Sequence, residues 1–179
     1  MENRFEVLKR EQVSVKNQRV FDQVKSVFGA VPNLYSTLAY SQNAADAYFK
    51  LETSPSSLNT RETEAVNLVV SEVNSCLYCL SAHTMIAKKS GFTEAQTLEI
   101  RSGSASFDGK LDALVKLTKE LSEKRHVENY ALLDAFFEAG YTQENLMDII
   151  ILIGDRTISN ILYAVTKVPI EFPLAKKLA

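Results

Sequence analysis

Apolar residues recur along this chain at intervals of three and four, the spacing of helices that each bury one face. Val20, Phe21, Val24, Val27 and Phe28 form one such stripe, predicting a helix over Val15–Phe28 closed by Gly29. Val31-Pro32-Asn33 breaks the pattern, and short helices over Leu34–Ala39 and Asn43–Glu52 follow. The clearest loop is Thr53 to Leu58, with Ser54-Pro55-Ser56-Ser57 at its centre. Asn59 and Glu62 stand in capping-box relation and open a helix through about Asn74. A second, from about Cys76 to Lys89, stops at Gly91. Thr93 with Gln96 caps a short helix that ends by Gly103. Asp108–Arg125 carries Leu111, Leu114, Val115, Thr118 and Leu121 on its inner face, and Asn129–Ala139 ends at Gly140. Thr142 opens a last long helix to about Lys167, ahead of Pro169. β-Branched residues cluster only in Val66–Val73 and Ile149–Ile153, inside capped helical patterns, so the expected fold class is all-α.

Ile149–Ile153 is apolar on every side and should lie buried from several directions, either in the heart of one subunit or partly against a partner. As the longest unbroken apolar run it is far too short to cross a bilayer, and no membrane partner is expected. Net charge is −2 and the isoelectric point about 5.8, which leaves no basic surplus to neutralise phosphates and argues against nucleic acid. The opening, Met1 to Gln12, is charged and lacks the apolar core of a secretory signal, so the expected location is cytoplasmic.

Candidate chemistry concentrates at one place. The chain has two cysteines, Cys76 and Cys79, followed by His83, at i, i+3 and i+7 on one helical face. A dithiol centre needs this arrangement: one thiolate attacks, the other closes a disulfide, and an imidazole manages the proton. A helix N-terminus favours the thiolate. Drawing a thiol from its ordinary acidity of about 8.5 to near neutrality is worth roughly 2–3 kcal/mol. Two other readings stay open. A tetrahedral zinc site would need a fourth ligand beyond Cys76, Cys79 and His83, with His126 and Glu64 the candidates. Alternatively, two buried cysteines pack as small inert hydrophobes.

The run from Glu64 to His83 resembles the core motif of the alkylhydroperoxidase D (AhpD)-like, carboxymuconolactone decarboxylase superfamily: a Glu, eleven residues, C-x-x-C, three more residues and a His. Glu64, Cys76, Cys79 and His83 match it in type and spacing. Val31-Pro32-Asn33-Leu34-Tyr35 and the stretch from Ala135 to Thr142 are similar to the peroxidase-related branch, so the likeness spans roughly Val31 to Val165. The resemblance implies a single-domain AhpD-like helical fold over 31–168, with an N-terminal helical extension (1–30) and a C-terminal tail (169–179). It also implies a homo-oligomer and peroxidase or disulfide-reductase activity; we expect a thiol-dependent peroxidase, and no cofactor or metal. The substrate would be hydrogen peroxide or an organic hydroperoxide, and the reductant an external dithiol. Cys79 would be the peroxidatic thiol, Cys76 the resolving one, and Glu64 and His83 a proton relay. Tyr78 stands where the prototype has a second His; a phenol with a pKa near about 10 hydrogen-bonds at neutral pH, which suits an auxiliary role. The alternatives are a redox sensor or disulfide exchanger without turnover, and a non-catalytic helical assembly or metal-binding module. Elsewhere, Glu72 reads as a surface charge and His126 as solvated. Asp155 and Arg156 interrupt an apolar helix as either an ion pair or an exposed pair.

Overall fold

The structure is a computed structural model that describes residues 5–178. Residues 1–4 and 179, the outermost parts of the expected extension and tail, lie outside the described residues. Among the described residues all regular structure is helical, as the apolar spacing predicts. The chain divides into two compact units: Met1–Pro55 with Ile161–Glu171, and Ser56–Asn160 with Phe172–Ala179.

In the first unit, α1 (Val15–Phe28) begins where Ser14 accepts a hydrogen bond from the Asn17 amide. It ends on Gly29, whose φ of 83° is left-handed and suits a residue without Cβ. Its inner residues Val20 and Val24 meet Tyr35 and Leu38 of α2 (Asn33–Leu38), and Ala45 and Tyr48 of α3 (Ala44–Glu52). The buried side chain of Asn17 donates to the carbonyls of Ala39 and Ser41 at 2.9 and 3.0 Å, tying α1 to the end of α2.

The second unit is built around α4 (Thr60–Val73), which packs against α5 (Leu77–Lys89), α6 (Glu94–Ser102) and α7 (Gly109–Lys124). A helix touched on three sides needs apolar residues most of the way round. Ala65, Val66, Leu68, Val69 and Val70 fill that requirement, each 0–1% exposed. Burying a side chain of this kind contributes about 1.5–3 kcal/mol. The β-branched run therefore makes a central helix rather than a strand. Both bonds of the Asn59/Glu62 capping box form at 3.0 Å. Leu111, Leu114, Val115 and Leu117 of α7 complete the core with Phe136 of α8 (Tyr130–Glu138), whose ring stacks on Tyr141 at 4.5 Å. The segment after Glu171 returns to this unit. Phe172 packs edge-on against Tyr78, the Ala175 amide donates to Ser81 Oγ at 3.1 Å, and buried Arg101 holds the Lys176 carbonyl at 2.6 Å and Glu72 at 2.7 Å. Glu72 is thus engaged in an ion pair rather than simply solvated.

Two expectations change. Cys76 precedes α5 as its N-cap, because Ser75 takes a left-handed turn (φ 53°) that ends α4 and starts α5 one residue later. In α9 (Gln143–Thr166), Ile149 and Ile153 are buried but Ile150 and Ile151 are exposed. A five-residue apolar run exceeds one helical turn, so part of it must face away from any single core. By length and composition, α9 as a whole is long and apolar enough to cross a membrane, a property the five-residue run does not reveal. Its buried side, however, carries Asp155, Arg156, Ser159 and Asn160.

Candidate functional site

The turn at Asn74-Ser75 folds α5 back along α4, with Cys76 N–H bonded to the Ser71 carbonyl at 2.9 Å. An antiparallel hairpin of this kind brings residues at similar distances from the turn face to face. Glu64 therefore meets His83, Oε2 to Nδ1, at 2.9 Å, with both side chains buried. The other Glu64 oxygen accepts from Asn67 Nδ2 at 3.1 Å.

His83 is held from its far side by α9. Arg156 Nη1 lies 2.7 Å from His83 Nε2. A guanidinium can only donate, so Nε2 accepts and the ring proton sits on Nδ1, directed at Glu64. Arg156 Nη2 also donates to Asp155 Oδ2 at 2.8 Å. The result is a buried row, Glu64–His83–Arg156–Asp155, in which one carboxylate meets the imidazole and the other the guanidinium. Asp155 Oδ1 is buried without a hydrogen-bond partner among the described residues. Sequence reasoning left Asp155 and Arg156 undecided; the structure makes them a buried ion pair inside the site. Their signal was two charges in the middle of an apolar helix, a cost that burial imposes only where partners exist.

Cys76 and Cys79 are free and buried at the start of α5. Cys76 Sγ accepts the Cys79 amide at 3.3 Å, so the resolving candidate doubles as the helix cap. Cys79 Sγ lies 3.9 Å from Ser159 Oγ, whose hydroxyl donates to the Arg156 carbonyl at 2.9 Å. Asn160 bonds to Asn74 at 2.9 Å and to Ser71 at 3.5 Å, and its amide faces both sulfurs. These surroundings separate the two thiols chemically. Hydrogen bonding from the Cys76 thiol brings Cys79 from 9.0 down to about 6; burial opposes this, while the Arg156 charge and Asn160 add to it. Cys76 moves the opposite way, raised by its bond to Cys79 and by burial. At neutral pH the pair is a Cys79 thiolate beside a Cys76 thiol.

The structure thus brings Glu64, Cys76, Cys79 and His83 together on one hairpin, but the hydrogen bonds of His83 run to Glu64 and Arg156 rather than to sulfur. Tyr78, between the cysteines, is buried against Phe172. His126 is exposed, its ring bonded to the Lys124 carbonyl. Among the described residues no three His, Cys, Asp or Glu side chains gather as metal ligands do. Ser159 and Asn160 were not legible as site residues, because one turn of a long helix carries no mark of what it faces.

Residues 39–120, a stretch that includes the Glu64–His83 hairpin, match the carboxymuconolactone decarboxylase family. Solved structures give the fold. A peroxidase-related protein with an alkylhydroperoxidase AhpD core, from Ralstonia eutropha JMP134, superposes with a TM-score of 0.82 at 22% identity, covering 94% of this chain and 92% of its own. A peroxidase-related protein from Silicibacter sp. TM1040 gives 0.78 at 19%, with coverage of 94% and 92%. The debrominase Bmp8, in a cysteine-to-alanine variant bound to 2,3,4-tribromopyrrole, gives 0.78 at 18%, with coverage of 96% and 93%. The AhpD-like helical fold therefore extends over nearly the whole chain. No curated protein sequence matches it.

Proposed function

We propose that the protein is a thiol-dependent peroxidase that reduces hydroperoxides through a Cys79/Cys76 dithiol–disulfide cycle. The observation that carries this reading is the geometry of two buried thiols three residues apart at a helix start, in surroundings that lower the pKa of Cys79 and raise that of Cys76. Cys79 thiolate attacks the terminal peroxide oxygen; an S–O bond forms, the O–O bond breaks, and the departing alkoxide takes a proton to leave as alcohol or water. Cys79 is then a sulfenic acid. Cys76, having given up its proton, attacks the Cys79 sulfur; the S–S bond forms and hydroxide leaves as water. An external dithiol reduces the disulfide and is itself oxidised. Within this cycle Arg156 supplies the positive charge that holds the Cys79 thiolate, and the Glu64–His83 pair positions Arg156. Tyr78 fills the wall beside Phe172.

Thiol titration with and without one equivalent of peroxide is the direct test. Two thiols per chain should disappear and return with a dithiol reductant, and Cys79→Ser should abolish peroxide consumption. Retained turnover by Cys79→Ser would refute the assignment. Stoichiometric oxidation without turnover under any reductant would instead make the chain a redox sensor. The fold shared with a debrominase supports a second substrate for the same thiolate, a halogenated pyrrole. Bromide release from tribromopyrrole, in the absence of peroxide consumption, would favour that chemistry.

A further inference from the structure

A cleft of about 180 Å³ opens where the first turns of α4 and α7 lie side by side. It sits at the opposite end of α4 from Cys76, roughly 20 Å away along a helix of this length, and takes no part in the thiol chemistry. A cavity of about 150 Å³ takes up benzene, so this one has room for a ligand of about six to eight heavy atoms. Tyr141 lines it, 5% exposed, with its ring stacked on Phe136. The Tyr141 hydroxyl is buried and meets no hydrogen-bond partner in proper geometry among the described residues. Burial, then the Glu62 carboxylate beside it, push the phenol's pKa up, so it keeps its proton and has a donor to offer. An unpaired buried hydroxyl is a standing cost to the fold that a bound acceptor removes.

Groups of both signs surround this space. On the donor side, the half-exposed Lys110 ammonium stands 4.5 Å from the centre of the Tyr141 ring. The caps Asn59 and Asp108 engage the amides of Glu62 and Leu111, at 3.0 and 3.1 Å. The first two amides of each helix, Thr60 and Arg61 in α4 and Gly109 and Lys110 in α7, have no acceptor within their helices. A Cβ at Gly109 would meet nothing within 4 Å, so the start of α7 can be approached closely. On the acceptor side, Glu62 gives Oε2 to the Asn59 amide at 3.0 Å, while Oε1 has Lys110 only loosely, at 3.7 Å. Asp108 adds a second carboxylate. The Arg61 guanidinium is turned away, 3.9 Å over the Phe92 ring, which leaves Lys110 as the side-chain cation of the cleft. A simple anion here would lie against two carboxylates, and a simple cation against Lys110 and the positive ends of two helices. A molecule that carries both charges a few ångströms apart meets each with its opposite.

We infer that this cleft binds a small zwitterion of the α-amino acid class, its carboxylate received by Tyr141, Lys110 and the α7 amides and its ammonium by Glu62 and Asp108. Calorimetric titration of the full chain with L-alanine, L-serine and L-threonine should find one saturable site for at least one of them. Acetate and methylammonium, which carry one charge each, should bind at least ~10-fold more weakly. Tyr141→Phe deletes only the unpaired hydroxyl. It should keep the helical circular dichroism, unfold no earlier than the wild type, and weaken the amino acid at least ~10-fold. Lys110→Met, at an exposed position, should weaken it by a similar factor. Four results would overturn the inference: no saturable binding of any of the three amino acids, acetate or methylammonium binding as tightly as they do, Tyr141→Phe binding like the wild type, or Lys110→Met doing so.

Discussion

Replacing Arg156 by Met tests the electrostatic account of the site at its hinge. The guanidinium touches His83 and Asp155 and is the leading charge acting on Cys79. Bringing Cys79 from 9.0 to about 6 corresponds to roughly 4 kcal/mol between thiol and thiolate. The Cys76 hydrogen bond is the largest cause, burial opposes it, and Arg156 is the leading charge. A unit charge about 6–12 Å away at an effective dielectric near 20 is worth about 1.4–3 kcal/mol. Arg156→Met should therefore lower the ionisation constant of Cys79 by roughly ten- to a hundredfold, read as the thiolate ultraviolet absorbance across a pH titration. The same change leaves Asp155 buried without its cation, which costs about 3–5 kcal/mol of stability. Arg156→Lys separates the two effects: it keeps the charge, so most of the thiolate returns, but cannot span His83 and Asp155 with one planar fork. If folded Arg156→Met still ionises Cys79 near pH 6, the charge is not what holds the thiolate and the reasoning fails.

Other consequences follow from the same contacts. Wild-type reaction with peroxide should be half-maximal near about pH 6, level above it and declining below, because the depressed Cys79 acidity keeps the thiolate until pH falls through that value; stopped-flow rates across pH check this. Cys76→Ala removes both the hydrogen bond that most favours the Cys79 thiolate and the resolving sulfur. It should shift that profile upward and leave a sulfenic acid that dimedone labels, where the wild type shows a disulfide. Arg101→Met strips the buried cation that joins Glu72 to the Lys176 carbonyl, and should speed amide exchange in the segment after Phe172 without moving the Cys79 titration. Gly103→Ala, at a φ of 99°, should cost at least about 1 kcal/mol in thermal or denaturant unfolding.

The helices were readable because each signal for them is local. The Asn59/Glu62 and Thr93/Gln96 boxes start helices with their own backbone, and Gly29 and Gly103 end them by taking a positive φ. The C-x-x-C and His83 share a helix face for the same reason: three and seven residues along one element define a direction before anything packs on it. Glu64 lay within reach by its resemblance to a known motif, and the hairpin turn at Ser75 supplies the physical means.

What a partner element decides was out of reach. One-dimensional spacing makes Ile149, Ile150 and Ile151 equivalent, yet only the first is buried, since that depends on where α9 rests. Arg156 is 73 residues from His83 along the chain, and no periodicity links them. A charge in an apolar helix announces that it needs a partner, but which one is fixed by tertiary packing. Here that packing sets the guanidinium against the imidazole, where its charge adds to the Cys76 hydrogen bond in favouring the Cys79 thiolate.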